Sequence, residues 1–159
     1  NMGMAREVLF HGVGIEFDLM AKMVKLRGSE KKPGIQKEIK NSTGMLFDIC
    51  LRTVNVLAAF ADGNTDNQKI LFDKLELFQS KMSKGFNIWD VIITIFDNNV
   101  DLVEKCPQNL IVKFAELLEK TPYSCRHLDF FLNLVEPVQE YKSRAIVRNQ
   151  NLVVKALTD

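Results

Sequence analysis

An all-α fold is predicted by three observations. Apolar residues recur near every 3.6 positions along almost the whole chain. Polar turns carrying helix start and stop signals separate the apolar runs. No clear strand stands among them.

The elements follow in order. Ile15, Leu19, Met23 and Leu26 mark a helix over Gly14 to Arg27. The segment "GSEKKPG" breaks it with Gly28, Pro33 and Gly34, and reads as a mobile loop. The period resumes at Ile35. Leu46, Ile49, Leu51, Val54, Leu57 and Phe60 predict a long, mostly buried helix ending at the Gly63 turn. Gly just past a helix end is expected because it enters the left-handed conformation cheaply. Thr65 and Gln68 have the spacing of a capping box ahead of Ile70, Leu71, Leu75 and Phe78. Ser83 to Gly85 closes that helix, and Asn87 can cap "IWDVIITIF". Val91 to Phe96 is rich in β-branched residues, yet it continues the helical period through Trp89 and reads as a buried helix. "NNVDLVEKC" is a short helix or turn. Pro107 suits the first turn of "QNLIVKFAELLEK", where its missing N–H is unneeded. "TPYS" separates that helix from "CRHLDFFLNLV", and a last helix spans about Ser143 to Leu157. These are about eight helices, paired at a spacing of ~40 residues, the period of armadillo and HEAT repeats. The pairing predicts a short α-solenoid of the armadillo/HEAT kind over residues 1–159 as one domain, with an ordinary helical bundle as the alternative.

Composition limits the function. Hydrophobic residues make up 47% and charged residues 26%, values of a globular chain with a core. A net charge of +1 gives no field that by itself draws nucleic acid or a membrane surface. No apolar run approaches the roughly 18 residues of a membrane span, that of Val91 to Phe96 being broken by Thr94 and ending at Asp97, and no signal peptide is visible. Cys50, Cys106 and Cys125 are odd in number and form no CxxC pair, which argues for reduced thiols in a cytosolic setting. Asn1 ahead of Met2 and Met4 suggests a domain taken from something larger.

Catalytic and metal readings fail on spacing, so the expectation is no enzyme, no metal and no cofactor. His11 sits beside Gly12 and Gly14 at a helix break, in a surface or capping role. "HGVG" lacks the strand before it and the GK[ST] after it that a phosphate loop needs. Cys125, His127 and Asp129 share one helical turn, where residues two apart point to different faces, so the reading is a partly exposed helix start. Asp97/Asp101 and Glu116/Glu119 read as solvated carboxylates on helix faces. Phe96, Phe130, Phe131 and Trp89 read as core. The cations available to an anionic ligand are Lys31, Lys32 and Lys37 in the early loop, and Arg144 and Arg148 one turn apart on the last helix. Against that stand a solvated loop diluted by Glu30 and Glu38, and pairing of the arginines with Glu136 and Glu140.

The stretch "LAAFADGNTDNQKILFDKLELF" resembles a recognisable part of the homology domain shared by inositol trisphosphate and ryanodine receptors, the RIH domain. Gly63, Asn64, Asn67, Gln68, Leu71, Phe72, Leu77 and Phe78 carry the likeness. It continues through "WDVIITIFDNNVDLVEKCPQNLIVKFAELLEKTPYSCRHLDFFLNLV" and "VRNQNLVVKAL", and more weakly through "VLFHGVGIEFDLMAKMV". The resemblance implies an armadillo-like module of a calcium-release channel, on the cytosolic side of the endoplasmic or sarcoplasmic reticulum membrane within a larger membrane protein. Its implied partners are adjacent domains or subunits of that channel, with no nucleic acid and no membrane insertion by this segment. One copy of the module in such channels forms half of an inositol trisphosphate site, with a Tyr-Arg-Lys ahead of the Asn-Gln of the turn. This chain has Asn64-Thr65-Asp66 there, and Glu7 and Phe10 near the other cationic positions, so those ligand residues are not carried over. The Gly63, Thr65, Asn67 and Gln68 turn is expected to be structural, with Asn67 and Gln68 bonding backbone groups left open at helix ends. Two other functions are considered: an inositol-phosphate half-site, and a freestanding armadillo-type adaptor that binds a peptide.

Overall fold

A computed structural model describes residues 33–82, 87–120, 125–136 and 144–158, with the side chains of 33–43, 144 and 145 outside that description. The described residues form helices and no strand: α1 (Pro33–Ala61), α2 (Thr65–Phe72), α3 (Leu75–Lys81), α4 (Ile88–Phe96), α5 (Val100–Val103), α6 (Gln108–Lys120), α7 (Arg126–Val135) and α8 (Arg144–Thr158). The expected Gly14–Arg27 helix, the "GSEKKPG" loop before residue 33, His11, "HGVG", the Ser83–Gly85 stop and the "TPYS" turn lie outside the described residues.

Helix α1 buries one stripe, Cys50, Val54, Leu57 and Ala61, at the i, i+4, i+7, i+11 spacing of a single face. Ile49 and Phe60, expected inside, are 38% and 43% exposed, because the buried stripe runs through Cys50 and Ala61 one position further on. By length and composition Gly44–Ala61 is apolar enough to cross a membrane, with a mean hydropathy of 1.5. This corrects the expectation that no apolar run approaches that length: the window carries only Asp48 and Arg52 as charged residues. Its buried stripe packs on α4.

The run from Thr65 to Lys81, expected as one helix, is two. Asp73 ends α2, its N–H shared between Leu71 O and Lys69 O, and Lys74 leaves helical geometry at φ −109° and ψ 14°. The break has no Gly or Pro to announce it. It lets Phe72 meet Phe96 edge-on at 5.9 Å while Leu75 and Phe78 enter the core.

Helix α4 is the hub, packing against α1, α2, α3, α5 and α7. Ile88, Val91, Ile92, Ile93, Ile95 and Phe96 are all buried on it. Burial on several sides outweighs the weak helix propensity of β-branched residues, a penalty of only tenths of a kcal/mol each. Asn87 starts α4 in a left-handed conformation, φ 53°, without the side-chain cap expected of it. Phe114 stacks on Phe130 at 3.8 Å, and Phe96 meets Phe130 edge-on at 5.7 Å, so α4, α6 and α7 share one aromatic core. Helix α8 closes the far side, packing on α6 and α7.

Of the helix start expected to be partly exposed, Cys125 is exposed and His127 is buried. Its ring is 1% exposed and meets Trp89 edge-on at 5.0 Å and Phe114 at 6.2 Å. Burial pushes its pKa down from the ordinary histidine value, and the nearby Asp90 carboxylate partly opposes that shift.

Candidate interaction surface

Helix ends leave carbonyls without an intrahelical partner, and buried ones must find a donor elsewhere. Two Asn-Gln pairs supply those donors. At the corner after α1, Gly63 takes φ +62° and the chain turns. Asn64, not Thr65, is the N-cap of α2: its backbone is extended and its Oδ1 accepts the Asn67 N–H at 3.0 Å. Asn67 Nδ2 then donates to Phe60 O at 2.7 Å, holding the end of α1. The shift of the cap by one residue frees Gln68 from any capping box and turns it inward. Gln68 Nε2 donates to Thr94 O and Asp97 O, each at 2.9 Å, which closes the end of α4.

The network continues through side chains the sequence did not single out. Asn99 Nδ2 donates to Gln68 Oε1 at 2.7 Å, and Asn99 Oδ1 caps α5 by accepting the Leu102 N–H at 3.3 Å. The second pair repeats the pattern. Asn149 Nδ2 donates to Val103 O at 2.9 Å, at the end of α5, and Gln150 Nε2 to Val135 O at 3.0 Å, at the end of α7. Gln68, Asn99 and Asn149 are each at most 5% exposed, which shields their bonds wholly or in part from competing water, whereas the Gln150 bond is exposed. The recurrence of Asn-Gln at 67–68 and 149–150 was the signal that could have located them.

On one face, α1, α4 and α7 enclose a groove of about 550 Å³. Ala58, Ala59, Ile93 and Leu132 give it apolar surface, and Asp62, Asp97, Asp129 and Glu136 stand around it. Arg126 also lines it, tied to Asp90 at 3.1 Å and Asp129 at 3.6 Å. Asp97, read from sequence as a solvated carboxylate on a helix face, sits at the C-cap of α4 within this groove.

The candidate cations do not come together among the described residues. Arg148 Nη1 donates to Cys106 O at 3.4 Å, in the turn between α5 and α6, and to Asn149 Oδ1 at 3.3 Å; of the glutamates expected to pair with the arginines, Glu140 lies outside the described residues. Lys31 and Lys32 and the side chains of Lys37 and Arg144 lie outside the described residues. Burial pushes the Cys106 thiol up to about 12, against the smaller opposing pull of Arg148. Cys125 is exposed while His127 is buried, so the two face different surroundings. No group of three or more His, Cys, Asp or Glu side chains suited to a metal occurs among the described residues.

Helices tied end to end by side-chain amides, with acidic residues around a groove on one face, define an all-helical fold. The model of the RIH domain family matches residues 4–159, and the chain belongs to that family. RIH domains are modules of inositol trisphosphate- and ryanodine-receptor-type channels. Searches of curated proteins and of solved structures return no match.

Proposed function

We propose that this chain is a cytosolic, non-catalytic module of an intracellular calcium-release channel, docking on neighbouring domains or subunits and passing rigid-body motion between them. The observation that carries the reading is the family match across residues 4–159. The amide network supports it, because a domain that transmits motion must move as one piece. Gln68 alone links the start of α2, the end of α4 and, through Asn99, the start of α5. The succession of contacts α1 to α4, α4 to α7 and α7 to α8 supports a short armadillo-like stack in which each layer packs on the next.

The module works through protein surfaces and not through a bound inositol phosphate. Clustered phosphates need converging Arg and Lys donors. The Gly63 corner carries Asp62 and Asp66 instead, and Arg148 is engaged at the turn between α5 and α6. Two measurements test the proposal. Titration calorimetry of this chain with inositol trisphosphate is expected to give no binding, and a Kd below about 1 mM overturns the ligand-free reading. Ligand-evoked calcium release from vesicles bearing the parent channel is expected to shift in ligand sensitivity when Gln68→Leu and Asn99→Leu loosen the network. An unchanged response overturns transmission through this module.

A further inference from the structure

We infer that the groove between α1, α4 and α7 docks a basic amphipathic helix of a partner protein, its apolar stripe against Leu132, Ala59 and Ile93 and its Lys or Arg side chains against the acidic rim. The inference names the partner chemistry of the docking reading and rests on it. Three observations select that occupant. The groove is built from helices that the core already holds apart, so it exists before any partner arrives. Its volume of about 550 Å³ accommodates several side chains and not merely one. Among the described lining residues its charge is one-sided: four carboxylates, Asp62, Asp97, Asp129 and Glu136, face one guanidinium, a net −3 on a chain whose overall charge is +1.

Among the described residues that line the groove, Arg126 is the one cation, and it cannot neutralise that rim. Arg126 is committed to Asp90 and Asp129, which leaves Asp62, Asp97 and Glu136 facing the opening. Leu132, 50% exposed on the same wall, is an apolar anchor point of the sort that an approaching helix covers. Charge alone would attract any polycation. Charge beside an exposed leucine and a floor of small residues, Ala58 and Ala59, fits a helix that brings both. A second copy of this chain meets the groove poorly, because its own groove face carries the same sign of charge.

The test uses the 159-residue chain and two labelled helical peptides of about 16 residues, long enough to hold a helix. One carries a leucine stripe flanked by Lys and Arg; the other has Glu at every basic position. Fluorescence anisotropy is expected to show micromolar binding of the basic peptide and none of the acidic one, weakening when salt rises from ~50 to ~300 mM. Asp62→Lys with Glu136→Lys reverses two exposed rim charges and is expected to weaken binding at least about tenfold. Leu132→Ser is expected to weaken it severalfold, and circular dichroism checks that each variant remains helical. Equal affinity of the basic peptide for the chain and for both variants overturns the inference. So does binding by a simple polyamine as tight as the peptide's, or self-association that Leu132→Ser abolishes. The assay needs no channel, so its failure removes the groove partner and leaves the docking reading to the calcium-release measurement.

Discussion

Replacing Gln68 by Leu isolates the energetic worth of the amide network. The substitution keeps nearly the same volume at a position only 1% exposed, so packing changes little. Three bonds are lost: Nε2 to Thr94 O and to Asp97 O at 2.9 Å, and Asn99 Nδ2 to Oε1 at 2.7 Å. Thr94 O retains the Asp97 N–H at 3.3 Å, so the heavier losses fall on Asp97 O and Asn99 Nδ2. Each buried group stripped of its partner costs about 1–3 kcal/mol, and the added apolar surface of Leu offsets part, which leaves a net destabilisation of about 2–4 kcal/mol. At roughly 2–4 °C per kcal/mol for a chain of this size, the midpoint falls by about 5–15 °C. Thermal and urea melts followed by circular dichroism measure it. A double-mutant cycle with Asn99→Leu should show a coupling of at least about 1 kcal/mol, because the two amides share a bond. A Gln68→Leu chain within about 0.5 kcal/mol of the parent, or strictly additive effects with Asn99→Leu, refutes the reasoning.

Other expectations follow from single sites. Gly63→Ala should cost about 1 kcal/mol in a urea melt, because φ +62° is strained for any Cβ although nothing lies within 4 Å of it; Gly63→Asn should cost less. Burial lowers the His127 pKa, so below about pH 6.5 the unfolded chain binds more protons than the folded one, and stability should fall as pH drops from there, a slope that His127→Phe flattens. Thiol labelling of the folded chain at pH 8 should modify Cys125 first, since Cys106 is buried with its pKa raised to about 12. Phe114→Ala should cost about 3–5 kcal/mol, as it removes the ring stacked on Phe130.

Much of the fold was legible because helices announce themselves locally. Gly63 marked the end of α1, and the period of Trp89 to Phe96 marked α4 as a helix despite its β-branched residues. What was not legible depended on distant residues. The break between α2 and α3 is set by where Phe72 must meet Phe96, 24 positions away, and no local residue encodes it. His127 is buried because Trp89 and Phe114, from two other helices, surround it. The capping box failed by one residue: Asn64 competes with Thr65 for the same N-cap and wins, which reassigns Gln68 from a local to a long-range role. The groove draws Asp62, Asp97, Asp129 and Glu136 from three helices and their ends, so no window of sequence shows it.

Amide hydrogen exchange, compared between this chain alone and the parent channel, bears most directly on the central claim that the domain acts by docking its surfaces. The account predicts that α4 exchanges slowly in both, and that amides of α1 and α7 on the groove face slow further in the parent and change again when the channel is activated. Identical exchange at every amide in the two settings, with and without activation, contradicts it.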